Sequence, residues 1–222
     1  MHNLPQIVSL YRRYKEDWQE DFSSTFINEF FFCLLGGFQI TFELNKSSFN
    51  LLKQKSFFEK SFFENNSPTN RVLIIENELN KKQFKTGNNK HSRYRFPKKG
   101  AQKLSNAGQW FLDKYDWRDN WVYEEKPIKL KRAKLCTCPG IGMKTSSWIL
   151  RNLLKDADLL ILDIHVMRIL KALRVVPCGY KAEKDYLKIE RRYLELCSSL
   201  ELNPAKFDLF LWEYSRGRKN EI

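Results

Sequence analysis

A chain of 222 residues with 42% hydrophobic and 14% aromatic content holds enough apolar material for one large domain or two small lobes, which excludes a disordered or low-complexity protein. Its formal charge of +13 and isoelectric point near 9.5 point to a polyanionic partner, either nucleic acid or an acidic membrane surface. From Lys81 to Lys134 there are 16 Lys and Arg against 5 Asp and Glu, so about a quarter of the chain carries nearly all of that charge.

In chain order, Leu4, Ile7, Val8, Leu10, Tyr11, Tyr14 and Trp18 recur at roughly helical spacing and predict an amphipathic helix over Leu4 to Trp18. Asp21 to Ser24 interrupts it. Phe26 to Leu35 is too continuously apolar for a surface helix and reads as a buried one, ended by Gly36 and Gly37. A further helix is expected from about Gln39 to Asn45. The Phe-, Ser- and Lys-rich stretch that follows suggests short helical segments around Phe49 to Lys53 and Ser56 to Phe63. Beyond Pro68, Arg71 to Leu79 reads as a helix, although Val72-Leu73-Ile74-Ile75 would also suit a strand. Lys85 to Pro97 is a basic connector with Gly87, Asn88 and Asn89 as turn formers, and Lys98 to Tyr115 resumes a helix. Trp117 to Pro127 is an aromatic, polar insertion. Lys129 to Leu135 and Lys144 to Leu154 form the two helices of a hairpin around a turn at Cys138 to Gly142. Helices over Asp163 to Leu173, Ala182 to Ser199 and Pro204 to Ser215 complete an all-α pattern without internal repeats.

No run of about 20 apolar residues is present, and Met1 to Arg12 lacks the apolar core of a signal peptide, so an intracellular, cytoplasmic protein is expected. Cys33, Cys136, Cys138, Cys178 and Cys197 are odd in number and lie mostly within apolar patterns, as reduced thiols do. Cys136 and Cys138 are too closely spaced for a zinc knuckle, and His2, His91 and His165 are the only histidines, so no metal or other cofactor is expected.

The stretch from Leu135 to Asn152 carries the chemistry. Gly140 and Gly142 flank Ile141 in a tight interhelical turn, where missing side chains let backbone N–H groups approach a phosphate oxygen at the start of the next helix. Such a contact positions DNA without reading its sequence. Lys144 follows two residues later, in the first turn of that helix. A lysine facing the positive end of the helix dipole is electrostatically misplaced, which suggests a role as nucleophile; a plain phosphate-contacting lysine is the alternative. Leu159-Leu-Ile-Leu then delivers Asp163 to the start of the following helix, where it would cap backbone donors and be held stiffly for catalysis as well.

Pro139-Gly-Ile-Gly-Met-Lys144, followed 19 residues later by Asp163 in an apolar-Asp-x-His setting, resembles the signature of the HhH-GPD superfamily of base-excision DNA glycosylases. Phe32 to Lys46 is similar to the N-terminal helix pair of the endonuclease III branch. Tyr94 to Gly100, Lys144 to Asn152 and Asp208 to Gly217 resemble the archaeal-type 8-oxoguanine DNA glycosylases, so the likeness runs from about Ile27 to Gly217. The resemblance implies an all-α, two-lobed helical fold with a helix-hairpin-helix motif and a central DNA-binding cleft. One domain over 1–222 is expected, with a basic lobe at about 25–134 and a second formed by about 1–24 plus 135–222. Only Cys178 and Cys197 lie beyond the hairpin, too few for the iron–sulfur cluster of some relatives.

For activity, the resemblance implies a DNA glycosylase with lyase function acting on a flipped-out oxidised purine, 8-oxoguanine. Lys144 would attack C1′ to form a Schiff base, Asp163 would stabilise charge developing on the sugar, and β-elimination would cut the strand. Trp148 and Trp212 would sandwich the base with Asp208 accepting its hydrogen bonds, although both tryptophans would also suit core packing. Phe38 and Gln39 would fill the gap left in the duplex. Gly140, Gly142, His91, Arg93, Arg95, Lys98, Lys99 and His165 would contact DNA, with Lys103, Tyr94 and Phe96 adding to the basic, aromatic face. A monomer acting on damaged DNA, with no membrane partner, is expected. Three alternatives stay open: the same chemistry on an oxidised pyrimidine or another modified base, a catalytically silent helix-hairpin-helix DNA-binding module, and a basic peripheral membrane protein. The last lacks a basic amphipathic helix with an aromatic insertion face.

Overall fold

The computed structural model describes residues 3–14, 25–37, 39–86, 90–115, 117, 121–154 and 157–217. Among these residues the chain forms eleven α-helices, one short 3-10 turn and a single two-stranded antiparallel ribbon. None of the helices is long and apolar enough to cross a membrane. The chain divides into two compact units, one built from 22–149 and the other from 1–21 with 150–222. The first hairpin helix is tied to the 22–149 unit: Trp110 Nε1 donates to Thr137 Oγ1 at 3.0 Å, and the Lys134 ammonium lies 4.0 Å from the Trp121 ring centre.

In the 22–149 unit, α2 (Phe26–Leu35) buries every residue but two, as its unbroken apolar sequence requires. Its phenylalanines join an aromatic cluster: Phe30 meets Phe111 at 4.8 Å, Phe31 stacks on Phe58 at 4.7 Å, and Phe26 meets Trp121 edge-on at 5.4 Å. Helix α3 (Phe42–Gln54) starts at Thr41, whose hydroxyl caps the Leu44 N–H, and it merges the two short helical segments expected between Gln39 and Lys53. Leu44, Ser48, Phe49 and Leu52 fall on its buried face. It ends where Ser56 turns left-handed (φ 58°) and Phe57 N–H reaches back to the Leu52 carbonyl. That termination uses a serine where glycine is usual, and α4 (Lys60–Asn65) consequently begins later than expected.

Helix α5 (Pro68–Asn80) settles the helix-or-strand ambiguity at Val72 to Ile75. Ser67 caps it, Pro68 fits its first turn, and Arg71, Ile75 and Leu79 line up on its buried face. It packs chiefly on α6 (Pro97–Lys114). Between them the basic connector folds back as β1 (Phe84–Lys85) and β2 (His91–Ser92), with Phe84 opposite Ser92 and fully buried. The hairpin follows as α7 (Ile128–Cys136) and α8 (Met143–Leu153).

In the second unit, α1 (Leu4–Arg13) opens with a reciprocal capping box between Asn3 and Gln6 and ends at Tyr14, whose backbone is extended, short of the Trp18 expected; 15–18 lie outside the described residues. Helix α9 (Ile164–Ala172) packs on α11 (Pro204–Ser215), and α10 (Ala182–Ser199), bent at Asp185, completes the bundle. Stacked Tyr193 and Phe207, 6.0 Å apart, bind α10 to α11.

Gly108 of α6 has the closest packing of the described glycines, since a β-carbon there would lie 1.8 Å from Phe63. Alanine inside a helix normally gains about 1 kcal/mol over glycine. Here the clash with a fully buried ring wins, so Gly108→Ala is expected to lower unfolding free energy by about 1–3 kcal/mol in urea titrations. An unchanged or higher value would show that Phe63 can move aside.

Candidate functional site

The hairpin is built from short-range contacts. Ile141 is buried between the two exposed glycines, and its N–H bonds to the Cys138 carbonyl at 3.1 Å, which fixes the turn. Gly140 has φ +92°, a backbone region costly for a residue with a side chain. The α8 ladder begins at Gly142, whose carbonyl accepts from Ser146 N–H at 3.0 Å. Arg132 Nη1 donates to Ser147 Oγ at 3.2 Å, and Cys136 Sγ lies 3.3 Å from Ser146 Oγ, so α7 and α8 are tied at two successive positions. Lys134 is held against the Tyr115 and Trp121 rings at 4.3 and 4.0 Å, which turns a basic residue into an anchor for α7.

Lys144 is the second residue of α8 and is half-buried. One turn on, Trp148 is also half-buried. Its ring meets Phe32 edge-on at 5.7 Å and lies so close over Gly36 that a β-carbon there would come within 2.5 Å of the indole. It thus packs on the end of α2 while retaining some exposed surface.

Gln39 follows Gly36 and Gly37 in a turn closed by Ile40 N–H bonding to the Gly37 carbonyl, and its φ of 63° is a strained value for a non-glycine residue. Exposed Gln39 shares the rim of an open depression of about 600 Å3 with Thr41, Ser92, Arg93 and Arg95. Phe38, the other expected wedge residue, lies outside the described residues.

His91, Arg93, Arg95, Lys98 and Lys99 are all exposed. Arg95 lies over the Phe96 ring at 5.6 Å. Tyr94 departs from the expected mix of cations and aromatics. It is 4% exposed, its hydroxyl donates to the Leu35 carbonyl at 2.6 Å, and burial drives its phenol well above the ordinary range, so it anchors the connector in the core. Lys103 runs its stem along the hairpin, with Cγ 3.2 Å from where a Gly140 β-carbon would sit. Desolvation and the nearby Lys99 charge hold its ammonium below the usual lysine value.

In the second unit, Asp163 is the N-cap of α9. Its Oδ1 accepts from His165 N–H at 2.8 Å and Val166 N–H at 2.9 Å, leaving Oδ2 outside the cap. The residue retains 9% of its surface. His165 is half-buried, with Nδ1 3.0 Å from Ser215 Oγ. Trp212 is half-buried, and the Arg216 guanidinium lies 4.6 Å over its ring.

Asp208 is placed differently from the expected base acceptor. It has no exposed surface, its Oδ2 accepts from Arg151 Nη1 at 2.6 Å, and its Oδ1 accepts from Ile161 N–H at 3.2 Å. Burial pushes its carboxyl up to about 6 against the opposing pull of Arg151. Arg151 and its role were not visible in the sequence; only its place two turns along α8 from Lys144 hinted at it.

The family model described as 8-oxoguanine DNA glycosylase matches residues 7–202. An 8-oxoguanine DNA glycosylase/AP lyase from Thermotoga petrophila is 34% identical over 95 residues, which is 41% of this chain and 45% of the relative, so the match spans less than half of that relative's length. Among solved structures, the Methanocaldococcus jannaschii 8-oxoguanine glycosylase/lyase in complex with a 15mer DNA containing 8-oxoguanine superposes with a TM-score of 0.62. It is 21% identical, covering 96% of this chain and 91% of that one. The H. pylori 3-methyladenine DNA glycosylase bound to 1,N6-ethenoadenine reaches 0.64 at 15% identity, covering 97% and 96%. At these identities the two structures establish the helical glycosylase fold alone.

Gly142 offers a clean test of the hairpin, because a β-carbon there meets nothing within 4 Å and its φ is not left-handed. Gly142→Ala is expected to unfold at the wild-type temperature yet bind duplex DNA about tenfold more weakly in fluorescence anisotropy, the added methyl standing between the α8 amides and a phosphate. Equal affinity would remove the hairpin turn from the interface.

Proposed function

The chain belongs to the 8-oxoguanine DNA glycosylase family, and on that footing we propose that it is a base-excision-repair DNA glycosylase with AP lyase activity that removes 8-oxoguanine through a lysine Schiff base. The observation that carries this reading is the half-satisfied carboxylate of Asp163: one oxygen is immobilised by two backbone amides and the other is left outside the cap. A carboxylate fixed this way is pre-oriented to stabilise positive charge on a sugar, with little reorganisation at the moment of reaction.

In the proposed reaction the unprotonated amine of Lys144 attacks C1′ of the damaged nucleotide. The C1′–base bond breaks, its electron pair leaves with the base, and the base takes up a proton. Ring opening yields the Schiff base; loss of a C2′ proton then expels the 3′ phosphate with the bonding pair, and water releases the lysine. The hairpin amides and the exposed cations of the connector and α6 neutralise and position phosphates. The family itself favours an oxidised purine over an oxidised pyrimidine. Trp148 and Trp212, each half-buried, are each proposed to present aromatic surface to an extruded base.

A panel of duplex oligonucleotides, each with one lesion, tests this reading. Wild type is expected to release 8-oxoguanine and cut the strand. Lys144→Gln and Asp163→Asn are expected to lose at least about 1,000-fold in single-turnover excision while binding the duplex within about threefold of wild type. Intact 8-oxoguanine after incubation with wild type would end the proposal for that lesion, and excision of only a pyrimidine lesion would redirect it.

A further inference from the structure

The segment that leads into Asp163 is irregular and buried: Leu159, Leu160, Ile161 and Leu162 are each 7% exposed or less. Being neither helix nor strand, it has no ladder to satisfy its backbone, and its buried amides need other partners. Three side chains take up that role. Glu190 Oε1 accepts from Leu160 N–H at 3.2 Å, Asp208 Oδ1 from Ile161 N–H at 3.2 Å, and the Tyr186 hydroxyl from Leu162 N–H at 3.4 Å. The same hydroxyl donates to the Leu160 carbonyl at 2.5 Å. Three consecutive amides are thus met one by one by side chains from α10 and α11, all of them buried. Asp163 follows directly, its own N–H bonding back to the Ile161 carbonyl at 2.8 Å.

We propose that Tyr186, Glu190 and Asp208 are positioning residues for Asp163: they act as a side-chain ladder that sets the depth and direction of the segment and so aims the Asp163 carboxylate. Asp208 is locked to Arg151 of α8 through its second oxygen, so its place in the reaction is structural support behind Asp163 rather than contact with the base. The assignment of a catalytic consequence rests on the proposed glycosylase reaction, whereas the aiming of the carboxylate does not.

The two parts are separable in Tyr186→Phe, which keeps the ring and removes the hydroxyl serving two backbone groups, and in Glu190→Leu, which removes a second rung. Amide hydrogen exchange is measured at His165 and Val166, the two donors to Asp163, together with single-turnover excision of 8-oxoguanine and duplex affinity. The ladder predicts exchange at both amides at least about tenfold faster in each folded variant. It also predicts excision about 10- to 100-fold slower at unchanged duplex affinity, a split that general destabilisation would not produce. Wild-type exchange at His165 and Val166 in Tyr186→Phe would overturn the proposal, as would accelerated exchange with wild-type excision. Should wild type excise nothing while exchange still accelerates, the glycosylase reading fails and the aiming of Asp163 stands.

Discussion

The bond between the Asp163 carboxylate and the first free amides of α9 is the contact on which the account depends. It satisfies a helix terminus and at the same time fixes a carboxylate at the end of a buried segment, so the geometry that starts the helix is also the one the proposed chemistry would use. A helix start in an apolar setting needs an acceptor whatever the protein does. Choosing a carboxylate over the serine, threonine or asparagine that cap α3, α5 and α11 adds a charge that folding alone does not require.

The hairpin shows the same economy with the opposite sign. Its turn relies on Gly140 at positive φ and on Ile141 driven into the core, and a β-carbon at Gly142, where α8 opens beside Lys144, would meet nothing within 4 Å. Cations around it are divided in labour. Lys134 and Arg132 serve packing and internal hydrogen bonds, while Arg93, Arg95, Lys98 and Lys99 stay exposed. A net charge read from composition alone does not separate these two groups.

Much of the helical frame was legible because it is written in local signals. The unbroken apolar run of α2, the Pro after a capping Asn at α11, and the glycines of the hairpin each specify an element within a few residues, whereas Pro68, expected as a break, opens α5. What escaped is of two kinds, local exceptions to the usual signals and partners distant in sequence. Ser56 in a left-handed C-cap hid the true extent of α3, and the β1–β2 ribbon is only two residues deep on each side. In the candidate site, Lys144 at the start of α8 and Asp163 as an N-cap could be placed from the motif and its spacing. Asp208, Tyr186 and Glu190 could not, because each reaches the segment at Leu160 to Leu162 across 24 to 47 residues of sequence. A carboxylate one turn before a half-buried tryptophan suggested ligand contact; its ion pair with Arg151, 57 residues away, places it in the core instead.

The central claim, that Lys144 is the covalent nucleophile, is open to direct capture. Wild-type protein incubated with an 8-oxoguanine duplex and sodium borohydride, then digested and mass-mapped, should yield one DNA-linked peptide with the adduct on the Nζ of Lys144. An adduct on any other amine, or no adduct alongside efficient base release, would contradict it.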